Sequence, residues 1–189
     1  WVRTVKYSSS KSLKRIASWV DFERALFRFP TAGLPEPDVI IVSSPSLLTI
    51  LNGMRLRRKF SCRLVFEIRD IWPLTLTEEG GFSENNPLIR ALAAIERLGY
   101  RQADVVVGTM PNLQEHVANV TGARLPVYCI PMGIDSEAYS AAVVPLPDEY
   151  VTKYIPEEEF VVTYAGSIGI GNALEPLLRC AESMRDVSG

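Results

Sequence analysis

The chain holds 189 residues, 47% hydrophobic and 22% charged, with 13 prolines and 12 glycines spread along it. That composition excludes global disorder, collagen and a long coiled coil, and it supplies enough apolar side chain for a core. The net charge of −2 is unevenly placed: residues 1–69 carry 13 Lys/Arg against 5 Asp/Glu, whereas residues 70–189 carry 7 against 17.

The basic third includes Lys6, Lys11, Lys14, Arg15, Arg24, Arg28, Arg55, Arg57, Arg58 and Lys59. Such a face attracts anionic lipid or phosphorylated ligands, or is simply a solvated surface. Nucleic acid is not an expected partner, because the stacking aromatics and reading motifs of known modules are missing. The longest uncharged stretch of this part, Val39 to Met54, is too short to span a bilayer and contains three serines and a proline. The chain begins at Trp1 without a basic-plus-apolar leader, which reads as no signal peptide and as a piece of something longer.

Strand-like apolar runs then alternate with helical patterns. Val39 to Val42 is a continuous β-branched run, of the kind that suits a strand buried on both faces of a parallel sheet. Ser44-Pro45 reads as a helix N-cap and first-turn proline, ahead of Leu47, Leu48, Leu51 and Met54 at helical spacing. The basic end of that helix complements its dipole. Arg63 to Ile68 is a second strand, and Arg69 to Asn86 a long connection without clear period. Asn86-Pro87 opens a helix, Ala103 to Val107 is a third strand, and a helix from about Pro111 stops at Gly122. Val127 to Ile130 is a fourth strand, ended by Pro131. The resulting β-α-β-α-β-α-β order predicts an α/β, doubly wound parallel sheet. Residues 136–159, with three prolines and the run Glu157-Glu158-Glu159, read as a linker or crossover. Phe160 to Ala165 restarts the rhythm as a fresh strand, followed by a helix carrying Leu174, Leu177, Leu178, Ala181 and Met184. The expected boundaries are residues 1–140, 141–159 and 160–189.

Few residues offer chemistry. Cys62, Cys129 and Cys180 have no metal spacing and read as buried free thiols in a reducing cytoplasm. A single histidine, His116, cannot supply a zinc site and has no nucleophile-elbow partner; it reads as a surface residue. Gly166 to Gly171 is a glycine-rich strand-to-helix turn whose order, G-x-x-G-x-G, is neither the dinucleotide fingerprint nor a Walker loop. It serves equally as a tight turn or as a phosphate cradle. Glu67, Arg69 and Asp70 stand at the carboxyl end of a buried-type strand, beside Trp72-Pro73. Ligands of open α/β sheets bind at that edge, so these groups are either catalytic or a structural ion pair. Gly133, expected at positive φ, and Asp135, able to cap a short helical turn, close the fourth strand.

Five segments in order carry a resemblance: Val39–Pro45, the run Phe66-Glu67-Ile68-Arg69-Asp70-Ile71-Trp72-Pro73, Ala103-Asp104, the run Ile130-Pro131-Met132-Gly133-Ile134-Asp135, and Tyr164–Gly169. Together they resemble bacterial family-4 glycosyltransferases of the GT-B fold, closest to those of capsule, exopolysaccharide and O-antigen synthesis. The resemblance implies two Rossmann-like domains: an acceptor-side N-terminal one and, at its start here, a C-terminal one that binds a nucleotide-sugar. It implies retaining transfer of a sugar, from a UDP-type donor, to a lipid-linked or polysaccharide acceptor, with no metal and no cofactor. It places Glu67, Arg69 and Asp70 on the acceptor side near the reacting sugar, Gly166, Ser167 and Gly169 near the donor diphosphate, and Gly133 and Asp135 at the interdomain turn. Many members carry a histidine near the first of these sites; this chain has none there, which weighs against Asp70 as a direct base. The family's paired donor-holding glutamates do not occur before Gly189, so the chain alone is expected to be inactive. The basic third would face anionic lipid at the inner side of the plasma membrane. The alternatives are a GT-B sugar-nucleotide epimerase and a non-catalytic nucleotide-binding or interaction module.

Overall fold

The computed structural model describes residues 3–6, 13–78, 80–141, 145–155, 161–166, 168, 172 and 174–185. It divides into two compact units, Trp1–Met132 and Gly133–Gly189.

The first unit is built on four parallel strands, β1 (Val39–Ser43), β2 (Arg63–Ile68), β3 (Val105–Gly108) and β4 (Val127–Cys129), side by side in chain order. The helices between them are α2 (Thr49–Phe60), the short α3 (Leu74–Glu78), α4 (Pro87–Gln102) and α5 (Leu113–Thr121), with α1 (Leu13–Arg28) preceding β1. The Rossmann-like parallel sheet expected from the alternating runs is therefore present. Its register aligns Val42, Phe66 and Val106 on one face and Ile41, Val65 and Val105 on the other. The first row is buried under Leu47, Ile50 and Met54 of the α2 segment, Tyr100 of α4, and Leu113 and Val117 of α5. Two glycines let the helices come this close. A Cβ on Gly53 of α2 would strike Val42, and one on Gly99 of α4 would lie 3.0 Å from the Phe66 ring and 3.1 Å from Ile50.

The opposite face differs from expectation. The β-branched run of β1 was read as buried on both faces, yet Ile41 is 69% exposed while Val42 is 5% exposed. Among the described residues the packed helices lie over one face only, and alternate residues of β1, β2 and β3 divide accordingly.

Caps follow the sequence at two helices and depart from it at a third. The Asn86 side chain accepts the Leu88 N–H at 2.9 Å, with Pro87 in the first turn of α4. Gly122 ends α5 in the left-handed conformation at φ 69°. Ser44, however, does not cap α2. Its N–H donates to the Glu67 carbonyl at 3.0 Å and its hydroxyl accepts the Arg69 N–H at 2.9 Å, so it extends the sheet. The chain then winds through i to i−3 bonds over residues 46–51 before α2 proper begins at Thr49.

In the second unit, the stretch read as linker contains two short helices, α6 (Ser136–Ala141) and α7 (Asp148–Tyr154), and α8 (Glu175–Ser183) follows with Pro176 in its first turn. The expected fifth strand is not formed over residues 161–165. A strand exists only through its ladder, and among the described residues nothing pairs with this segment. Phe160 lies outside the described residues. No described residue of this unit is buried. The cysteine reading also needs correction: Cys129, on the edge strand, and Cys180, on α8, are exposed, and only Cys62 is partly covered.

Candidate functional site at the carboxyl edge of the sheet

Three chain segments leave the carboxyl ends of adjacent strands: residues 44–48 after β1, 69–73 after β2 and 109–112 after β3. Helix α1 packs against α2 and brings a carboxylate to this edge. Glu23 is 7% exposed, and its Oε1 accepts hydrogen bonds from Ser46 Oγ at 2.6 Å and Thr49 Oγ1 at 2.7 Å. Its other oxygen, Oε2, is buried without a partner. One turn earlier on α1, Trp19 meets Trp72 edge to face, with centroids 6.4 Å apart and planes at 84°. The indole Nε1 of Trp72 is likewise buried without an acceptor. Trp72 is joined to Pro73 by a cis peptide bond.

The predicted catalytic residues fall on the same edge in different environments. Arg69 and Asp70 are exposed, and among the described residues no ion pair ties either of them down. The structural Arg–carboxylate pair considered from sequence is thus not formed. Glu67 registers with Ser43 and Val107, on the sheet face that the packed helices do not cover, and is half-buried. Sequence reasoning missed Glu23 entirely. A single glutamate on an amphipathic helix has no motif, and only its place on the inward side of α1 could have marked it.

The turn residues belong to the second unit. Asp135 caps α6, its Oδ1 accepting the Ala138 N–H at 2.9 Å. Gly133 is not among the positive-φ glycines of the described residues, which are Gly33, Gly81 and Gly122. The chain runs from Ile130 to Asp135 without a turn, so no left-handed residue is required there. Gly166 sits at a bend, while Ser167 and Gly169 lie outside the described residues.

His116 is not a surface residue. Its Nε2 lies 2.8 Å from Glu96 Oε1, which also accepts the Tyr100 hydroxyl at 3.0 Å, and the imidazole and phenol rings meet edge to face. Burial, aided by the charge and hydrogen bond of Glu96, pushes the Tyr100 hydroxyl far above the usual tyrosine range. This triad joins α4 to α5 and serves packing.

The amino edge of the sheet holds a different arrangement. Asp104 accepts from Arg57 at 2.9 Å and from the Leu64 N–H at 2.8 Å, with Arg63 at 3.6 Å. The Arg57 guanidinium also donates to the Gln102 carbonyl. Part of the basic run read as solvated surface is therefore consumed by structure. A cavity of about 670 Å³ lies here, and the Arg57–Asp104 pair forms part of its wall.

A parallel sheet with packed helices defines a Rossmann-like α/β domain, and open sheets of this kind bind ligands at the carboxyl edge. Residues 1–133 match the model of the glycosyl transferase 4-like domain, so the chain belongs to that family and is a glycosyltransferase domain. The matched stretch coincides with the first compact unit. No curated protein matches the sequence significantly. Among the described residues no helix is long and apolar enough to cross a membrane.

Proposed function

We propose that this domain is the acceptor-side part of a retaining glycosyltransferase of cell-surface glycan synthesis. It moves a sugar from a nucleotide-sugar, of UDP type, to a lipid-linked or polysaccharide acceptor. The observation that carries the reading is that Arg69 and Asp70, at the carboxyl edge of β2 and inside the stretch that matches the family, are exposed and have no ion pair among the described residues. Charged groups kept unpaired beside a buried strand are available to a substrate. Asp70 accepts a hydrogen bond from the acceptor hydroxyl, and Glu67 adds negative potential behind it. Arg69 offers a fork of N–H donors to an anionic group of the substrate.

On this proposal Gly166, Ser167 and Gly169 contact the donor diphosphate through backbone N–H groups, where negative charge grows as the bond breaks. Gly133 and Asp135 lie on the connection that leads from the acceptor side to the donor side. No metal or cofactor is invoked beyond the nucleotide-sugar. The enzyme works in the cytoplasm at the inner face of the plasma membrane, its basic residues drawing it to anionic lipid, with each one near the surface adding about 1 kcal/mol.

The test is transfer from UDP-sugars by the complete gene product, with membrane-extracted lipid acceptor. The expected result is a glycosylated lipid, lost in Asp70→Asn. Donor consumed without acceptor would make the protein an epimerase, and donor bound but unchanged would make it a binding module. Reversing charge at Lys11, Lys14 and Arg15 is expected to weaken binding to anionic liposomes. Unchanged binding would remove the membrane from the proposal.

A further inference from the structure

One residue ties the carboxyl ends of β1 and β2 together, and the proposed chemistry does not use it. Ser44 is 1% exposed. Its N–H donates to the Glu67 carbonyl at 3.0 Å, and its hydroxyl oxygen accepts the Arg69 N–H at 2.9 Å. The first bond continues the parallel ladder one residue past the Ser43–Glu67 pair. In a regular parallel ladder the Arg69 N–H would go to the Ser44 carbonyl. Here the side chain accepts it instead, so the β1 strand can turn away at Pro45 while Arg69 stays attached. On the far side of Asp70, the Trp72 N–H donates to the Asp70 carbonyl at 3.1 Å. The Trp72 ring is held edge to face by Trp19, and Pro73 is buried. The main chain that carries Arg69 and Asp70 is thus fastened before and after them, while both residues stand exposed.

We infer that Ser44 is a positioning residue for Asp70: by holding the Arg69 N–H it fixes where the Asp70 carboxylate meets the acceptor hydroxyl. The inference rests on the function proposed above and deepens it. A carboxylate on a fastened main chain has less freedom to lose when the acceptor arrives, and it meets the hydroxyl in one geometry. A serine oxygen on its short stem supplies the acceptor that this requires. Alanine has nearly the same shape and no acceptor, so it releases the Arg69 N–H without opening a large hole. Ser44 itself meets no reacting atom.

The test places Ser44→Ala in the complete gene product, with and without Asp70→Asn. It reads transfer from a UDP-sugar to membrane-extracted lipid acceptor, and hydrogen exchange at the Arg69 amide. The expected result is faster exchange at Arg69 and a kcat lower by about 10- to 100-fold, with KM for the acceptor little changed. In the Asp70→Asn background the same substitution costs nothing further, because the group it positions is gone. If Ser44→Ala does not fold, Ser44→Cys carries the same comparison, since sulfur fills the place as a much weaker acceptor. An equal fractional loss in both backgrounds overturns the inference, because it marks loss of folded enzyme and not of Asp70 geometry. Unchanged kcat overturns it too, as does unchanged exchange at Arg69. In these three cases transfer by the parent leaves the proposed function standing. A parent that transfers to no acceptor removes the proposed function, and the positioning role falls with it.

Discussion

The two edges of the sheet use similar residues to opposite ends. At the amino edge, the Asp104 carboxylate takes an arginine fork and a backbone N–H, and Arg57 is shared with a carbonyl. At the carboxyl edge, Arg69 and Asp70 stand exposed without an ion pair among the described residues, and Glu23 and Trp72 each keep a buried polar atom unmatched. Stability favours the first arrangement. On the proposed function a ligand completes the second.

The contrast can be broken by substitution. Asp70→Asn is expected to cut glycosyl transfer by about 100-fold or more, in the range seen when one preorganised polar group is lost from an active site, with Tm unchanged because the side chain is exposed. Steady-state rates beside a melting curve check both parts. Asp104→Ala should do the reverse: it strands the Leu64 N–H and the Arg57 guanidinium and costs about 2–3 kcal/mol, read as a lower urea midpoint.

Gly53→Ala tests the covered face, since its Cβ has nowhere to go but into Val42. Overpacking of this kind costs about 1–3 kcal/mol. The same change at exposed Gly133, where a Cβ meets nothing, should be close to neutral in the same melts.

The smallest effect concerns pH. Tyr100 is held neutral in the fold, so above the ordinary tyrosine value of 10.0 the unfolded chain loses a proton that the native state keeps. Stability contributed by this group is therefore full below that value and declines as pH rises beyond it. Tyr100→Phe is expected to flatten the alkaline slope of denaturant midpoints; an unchanged slope would place its origin elsewhere.

What the sequence disclosed follows from how local each feature is. The Val-rich strands, the Asn86-Pro87 start of α4 and the Gly122 stop of α5 are decided by residues close in the chain, and all were legible. So was the run from Glu67 to Trp72, because its charges crowd the end of one strand. Ser44 was misread because its partners, Glu67 and Arg69, arrive from another strand, and a serine before proline looks like a cap until that strand is in place. Glu23 was invisible for the same reason: its meaning comes from Ser46 and Thr49, more than twenty residues away. The exposure of Ile41 was equally hidden, since a run of β-branched residues states that a strand forms and not which of its faces is covered.

On the proposed function, Arg69 and Asp70 at the carboxyl edge serve a substrate, whereas the Arg57–Asp104 pair at the amino edge serves the fold. The most direct measurement takes Asp70→Asn and Asp104→Asn side by side and reads transfer rate and unfolding midpoint on each. The account predicts that Asp70→Asn loses transfer and keeps its midpoint, whereas Asp104→Asn loses midpoint and keeps transfer at temperatures where it is folded. An Asp70→Asn protein that is fully active, or an Asp104→Asn protein that is stable but inactive, would contradict it.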